Sequence, residues 1–228
     1  MMSKAAGRFT PTHHALLFAW MARAVIVRVG EEQGEAVMRK AVRRYGEERG
    51  HRMALRAQAD GAQRSMAYYL AYGEWSADPE ESEQAIARQG ADVRMTVHRC
   101  PWHAAWAEND MMVVGRLYCL EIDEALVRGF NAALRLDVAR TRPNDGESCE
   151  FVFREVEKRV PRRGRVMPWA YHVGHLYKTV GQAILEAIGP AGREAVHEAL
   201  ETFAQRYGEE AAAVILSYQD MDFGQLPD

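Results

Sequence analysis

The side chains best suited to chemistry in this 228-residue chain are three cysteines, an aspartate and a few histidines set at short, regular spacings. Cys100, Cys119 and Cys149 cannot form a closed disulfide set, and their separations match no zinc-ribbon spacing. In a reducing compartment they are free thiols: nucleophiles, metal ligands or small buried hydrophobes. Cys119 and Asp123 stand four residues apart, so on a helix they share a face and aim at one centre. His98 and Cys100 stand two apart, which puts them on one side of a strand. Cys149 alternates with Phe151 and Phe153 and is expected to face inward with them. His172 and His175, three apart, share a helix face. The expectation is that these sulfurs, the aspartate and the late imidazoles gather at one solvent-reachable hollow.

Two chemistries use such a set. A thiolate nucleophile works with an imidazole base and a carboxylate that orients it. Alternatively, Cys100, Cys119, Cys149 and Asp123 hold a divalent metal such as zinc, whose open position makes bound water acidic enough to attack near neutral pH. Spacing leaves both open, with no cofactor needed in the first case, beside a reading of the cysteines as structural. Other classes lose support. The His-x-x-His spacing at His172 is not the i, i+4 pattern of the common zinc peptidases, and the chain has no dinucleotide fingerprint, phosphate-binding P-loop or serine nucleophile elbow.

A net charge of −3 argues against nucleic acid as a partner. The longest apolar run, from Ala15 to Ala22, is cut by Arg23, well short of the ~20 residues a membrane span needs. It also lacks the basic start and cleavage site of a secretory signal. A cytoplasmic protein acting on a small molecule, with no membrane or nucleic-acid partner and with room for a homo-oligomer, is the expectation.

The elements that must position these groups can be read from periodicity. Leu17, Met21, Ala24, Val25 and Val29 recur at three- and four-residue steps, which predicts a helix over 12–29, punctuated by Gly30. A second helix is expected from Gln33 to about Arg49, ending near Gly50, with Arg39, Lys40, Arg43, Arg44 and Arg49 on a solvated, salt-bridged face. A third, less regular helical stretch covers 54–75, and an acidic exposed connection follows over 76–90. Residues 92–100 alternate as a strand, with Val93, Met95 and Val97 on one face. Pro101 ends it and opens a short helix carrying Trp102 and Trp106. One helix is expected over 111–130, then two strands over 132–140 and 147–156 joined by a Pro143-Asn144-Asp145-Gly146 turn. Residues 167–218 are helical again and echo the N-terminus: Val25–Gly30 aligns with Ile184–Gly189, Tyr45-Gly46-Glu47-Glu48 with Tyr207-Gly208-Glu209-Glu210, and His13 with His172. The fold class is α+β: a small antiparallel sheet with a central helix, flanked by N- and C-terminal helical hairpins. It is taken as a single domain over 1–228, with helical units at 1–75 and 167–220 around the 90–158 sheet unit.

In these stretches the chain resembles the L-2-amino-thiazoline-4-carboxylic acid hydrolase family. The segments that carry the likeness are Val97–Trp102, Tyr118–Asp123, Arg128–Asn131, Gly146–Phe153 and His172–Tyr177, in family order. The usual Asn-Pro after the central helix reads Asn131-Ala132 here, and the usual Gly-Asp reads Asp145-Gly146. The resemblance implies hydrolytic opening of a small cyclic amidine or amide acid to a carbamoyl-cysteine product. It places Cys100, Cys119, Asp123, Asn131 and Cys149 at the site, with His172 and His175 arriving from the C-terminal unit. Attack falls to the Cys119 thiolate or to an activated water, with Asp123 and an imidazole (His98, His172 or His175) moving protons. Arg99 or Arg116 would hold the substrate carboxylate, with Tyr118 and Trp102 nearby. A fainter likeness to vinyl-reductase-type ligand-binding domains supplies the alternative, a non-catalytic small-molecule sensor.

Overall fold

The computed structural model describes residues 9–76 and 78–227; residues 1–8, inside the first expected helical unit, and Ala77, inside the acidic connection, lie outside the described residues. The fold is α+β with an open, four-stranded antiparallel sheet ordered β1-β2-β4-β3. By contact density the chain divides into two compact units. One holds the chain up to Tyr45 together with Trp102–Tyr118 and Pro168–Met221; the other holds Gly46–Pro101, Cys119–Met167 and the residues from Asp222 onward.

The helical unit is built on α1 (Pro11–Val29), the first half of α2 (Glu31–Ala59), α4 (Pro101–Glu108), α5 (Met112–Cys119), α8 (Trp169–Ile188), α9 (Pro190–Tyr207) and α10 (Glu209–Leu216). α1 buries its full girth over Ala15–Ala22, the run that looked membrane-like, because α8 and α9 pack against it. No helix among the described residues is long and apolar enough to cross a membrane. The internal echo has a shared backbone cause at its first position. Gly30 and Gly189 each turn the chain at positive φ (85° and 57°) and return their N–H to a carbonyl four residues back, Ile26 and Leu185. At its second position the echo fails. Gly208 ends α9 at φ 94°, whereas Gly46 continues inside α2.

In the sheet unit, β1 (Glu83–Gln89) and β2 (Asp92–Arg99) form a hairpin through Gly90 at φ 64°. β1 is exposed along its whole length, so it carries no inward stripe and its stretch reads as a connection. β3 (Leu136–Arg140) and β4 (Cys149–Phe153) complete the sheet, Val93, Met95 and Val97 pairing with Phe153, Phe151 and Cys149. Their common face, with Leu136 and Val138 of β3, packs under Met66 and Ala67 of the short helix α3 (Met66–Ala71). The Pro143–Gly146 stretch is not a tight two-residue turn: Arg142–Asp145 form a single helical turn, α7, before β4 begins.

Two further expectations change. α2 does not stop at Gly50 but runs to Ala59, and its glycines serve packing. A Cβ on Gly46 would lie 2.6 Å from the Ala125 Cβ, and one on Gly50 would lie 2.1 Å from the Leu126 carbonyl oxygen. Only glycine lets α2 approach the helix over Ile122–Phe130 this closely. The expected helix over 111–130 is broken at Leu120-Glu121 into α5 and α6 (Ile122–Phe130). The expected core positions on either side of the break, Val114 and Leu117 before it and Ile122 and Leu126 after it, are all buried.

Candidate active site

Four of the expected groups meet in the sheet unit, each at the end of an element. Cys100 follows the last residue of β2, Cys119 closes α5, Asp123 lies in the first turn of α6, and Cys149 opens β4. None of the three cysteines is in a disulfide; Cys149 is buried, while Cys100 and Cys119 are half-buried. The i, i+4 argument that joined Cys119 to Asp123 does not hold, because the helix breaks between them. They are neighbours nonetheless. Burial pushes the Cys119 thiol well above its ordinary range, and Cys100, Asp123 and Cys149 all add to the rise, since each would stand as a nearby negative charge. Burial likewise raises Cys149 to about 11, against a backbone N–H of Arg142 that donates to its sulfur at 3.3 Å. At neutral pH both are therefore thiols rather than thiolates.

Asp123 behaves differently. Burial raises its carboxyl to about 7, with Arg49 pulling it down and Glu124 pushing it up. A helix N-terminus favours a carboxylate, but its field is weaker than the loss of water here. Tyr69 of α3 is raised by burial and by the same Asp123, so its phenol keeps its proton beside the carboxylate.

Sequence reasoning missed the arginines behind this group. Arg49 is buried rather than part of a solvated face, and so is Arg52; with Arg56 they surround the fully buried Glu74. Arg52 grips it with two bonds of 3.0 and 2.8 Å and donates to the Phe223 carbonyl at 2.6 Å; Arg56 adds a bond of 2.6 Å. Three guanidiniums converge on this one carboxylate, and the charge of Arg49 also acts on Asp123, pulling its carboxyl down. The signal lay in the spacing: Arg49, Arg52 and Arg56 fall on one helix face.

The other expected residues have partners of their own. His98 and Arg99 are exposed at the end of β2, where Arg99 donates to the Pro79 carbonyl at 3.3 Å. Asn131 caps α6; its amide donates to the Arg64 carbonyl at 2.7 Å, and its side-chain oxygen accepts from the N–H of Ala133 at 3.0 Å. Arg116 lies in the helical unit, ion-paired with Glu35.

That unit also holds Tyr118, Trp102, His172 and His175, which share a buried aromatic cluster that sequence reasoning did not foresee as one. At its centre is His14. The Trp102 indole donates to His14 Nδ1 at 3.1 Å, so the imidazole is neutral with its proton on Nε2, which donates to the Tyr45 hydroxyl at 3.0 Å. Tyr118 meets the His14 ring edge-on at 5.5 Å between centroids, and His175 lies 4.6 Å from the Tyr45 ring. His172 packs on Trp169 and Tyr171. His14 carried no signal beyond its place in the apolar run of α1.

As for a metal, no three His, Cys, Asp or Glu side chains among the described residues are grouped so as to hold one.

No curated protein and no solved structure matches the chain significantly. The family profile described as L-2-amino-thiazoline-4-carboxylic acid hydrolase matches residues 11–153, which takes in both units up to the end of β4 and stops short of His172 and His175. With the thiol and carboxylate cluster inside the matched span, the chain belongs to the L-2-amino-thiazoline-4-carboxylic acid hydrolase family.

Proposed function

We propose that the protein is a hydrolase that opens a small cyclic amidine acid such as L-2-amino-thiazoline-4-carboxylate, with Asp123 as the general base. The observation that carries this reading is a carboxyl raised to about 7 beside protonated thiols. A base of that strength is half ionised at neutral pH and still basic enough to take a proton from water. As the water oxygen adds to the carbon of the ring C=N bond, one proton passes to Asp123. The tetrahedral carbon then collapses, the ring carbon–nitrogen bond breaks, and Asp123 returns the proton to the departing nitrogen. The hydroxyl proton follows it, leaving a carbamoyl-cysteine product.

Water is preferred over Cys119 as the nucleophile because nothing near that sulfur stabilises its thiolate: burial and its neighbours all oppose ionisation. Cys119 and Cys100 then serve to crowd water away from the carboxyl. Arg49, held by Glu74, is the cation best placed to attract the substrate's carboxylate, in place of Arg99 and Arg116.

Incubation of the purified protein with the aminothiazoline acid, followed by detection of the carbamoyl product, tests the proposal. Turnover is expected to fall at least ~100-fold in Asp123→Asn, the usual worth of a general base, and less than ~10-fold in Cys119→Ser. Saturable binding without conversion would favour the sensor reading instead. A covalent adduct on Cys119 would replace water with the thiol.

A further inference from the structure

The sheet unit contains a cavity of about 620 Å³ that the thiol cluster does not use. Its floor is the same sheet face that carries Cys149, at the opposite end of the strand: Val93 and Met95 of β2 and Phe153 of β4. Phe153 and Cys149 are four residues apart, which along a strand is about 13 Å. α3 supplies one wall through Ala67 and Leu70, and the segment after β4 supplies another through Val156 and Val160. Ile86, pointing in from β1, is left 63 % exposed, an unusual state for a large aliphatic side chain beside an apolar hollow.

The polar lining has one sign. Arg88, Lys158 and Arg159 border the cavity, and among the described residues no carboxylate does. Arg88 is committed to the backbone carbonyls of Val156 and Gly90, at 2.9 and 3.4 Å. Lys158 stands over the Tyr68 ring, its nitrogen 5.7 Å from the centroid. Among the described residues none of the three is ion-paired with an acid. An apolar floor with a cationic rim fits a ligand with an apolar body and one negative head, and the volume lies within the ~300–1,000 Å³ typical of small-molecule sites.

We propose that this cavity, over the β1–β2–β4 face, is a binding site for a small organic carboxylate with an apolar body, held at its head by Lys158 and Arg159. It is a second site, independent of the ring-opening chemistry at Asp123.

Calorimetric titration of the full-length protein with decanoate, below its micelle concentration, tests it against decanol and acetate. Saturable binding of one decanoate per chain is expected, with decanol and acetate each at least ~10-fold weaker, since losing the charge or the apolar body each removes more than ~1.4 kcal/mol. Lys158→Glu/Arg159→Glu changes only exposed side chains, so the fold is retained, and it should weaken decanoate at least ~10-fold while leaving decanol unchanged. Met95→Trp, which fills the floor, should remove both. Absence of saturable decanoate binding, or decanoate binding untouched by the charge reversal, overturns the proposal. Neither result bears on turnover of the ring acid, which is read separately through Asp123.

Discussion

At the scale of single residues the account turns on groups whose ionisation is moved by what surrounds them. Asp123 and the cysteines were legible in the sequence because their types are rare and their order matches a family. Their protonation states were not, because burial is a tertiary quantity. Glu74 shows the same limit: one acid in an unremarkable stretch becomes a fully buried counter-charge shared by Arg49, Arg52 and Arg56. Glu74→Gln leaves those guanidiniums uncompensated, and a loss of about 3–5 kcal/mol is expected by urea denaturation. At His14 the effect is smaller. Trp102→Phe keeps an aromatic ring, though a smaller one, and removes the indole donor to Nδ1, so a loss of about 1–3 kcal/mol is expected in the same measurement.

At the scale of elements, periodicity found the core-facing helices and the inward strand positions. It failed where a residue's usual meaning was reversed. Glycine in α2 was read as a stop, yet Gly50 sits against the backbone of α6, 2.1 Å from the Leu126 oxygen and 2.7 Å from the Phe130 nitrogen if it had a Cβ. Helix propensity alone says that Gly50→Ala stabilises by up to ~1 kcal/mol. Because the obstructing atoms are backbone and cannot swing aside, the expected outcome is the opposite: a destabilisation of about 2–3 kcal/mol, measurable as a lowered melting midpoint. β1 escaped notice for a different reason. A strand exposed on every residue has no alternation to betray it, and only its pairing with β2 defines it. The break between α5 and α6 was equally silent, since the apolar period of the sequence runs on through it and Val114, Leu117, Ile122 and Leu126 are all buried.

At the scale of the whole molecule, the same carboxyl that serves as a base should make stability depend on pH. Its folded pKa, about 7, lies above the ordinary value of 3.8. The folded state therefore holds its proton more tightly than the unfolded chain, and stability falls as pH rises from about 4 to about 7. Asp123→Asn removes that penalty. After discounting for its partial exposure, the variant should gain about 2 kcal/mol relative to wild type at pH 8, and little at pH 4, in urea denaturation at the two pH values. Such a gain, paired with lost activity, is the signature of a group kept for function at a cost to the fold. The family profile and the segments that carried the sequence likeness overlap over residues 97–153, and of the helical echo the cap at Gly30 and Gly189 is the part that both ends share.

The pH–rate profile for opening of the aminothiazoline ring is the most direct test of Asp123 as the base. Wild-type kcat/KM should rise tenfold per pH unit at the acid end, bend near pH 7 where the carboxyl ionises, and stay level above it. Asp123→Asn should lose both the bend and at least ~100-fold in rate. A wild-type profile that is flat from pH 5 to about 8, or one whose bend persists in Asp123→Asn, would contradict the account.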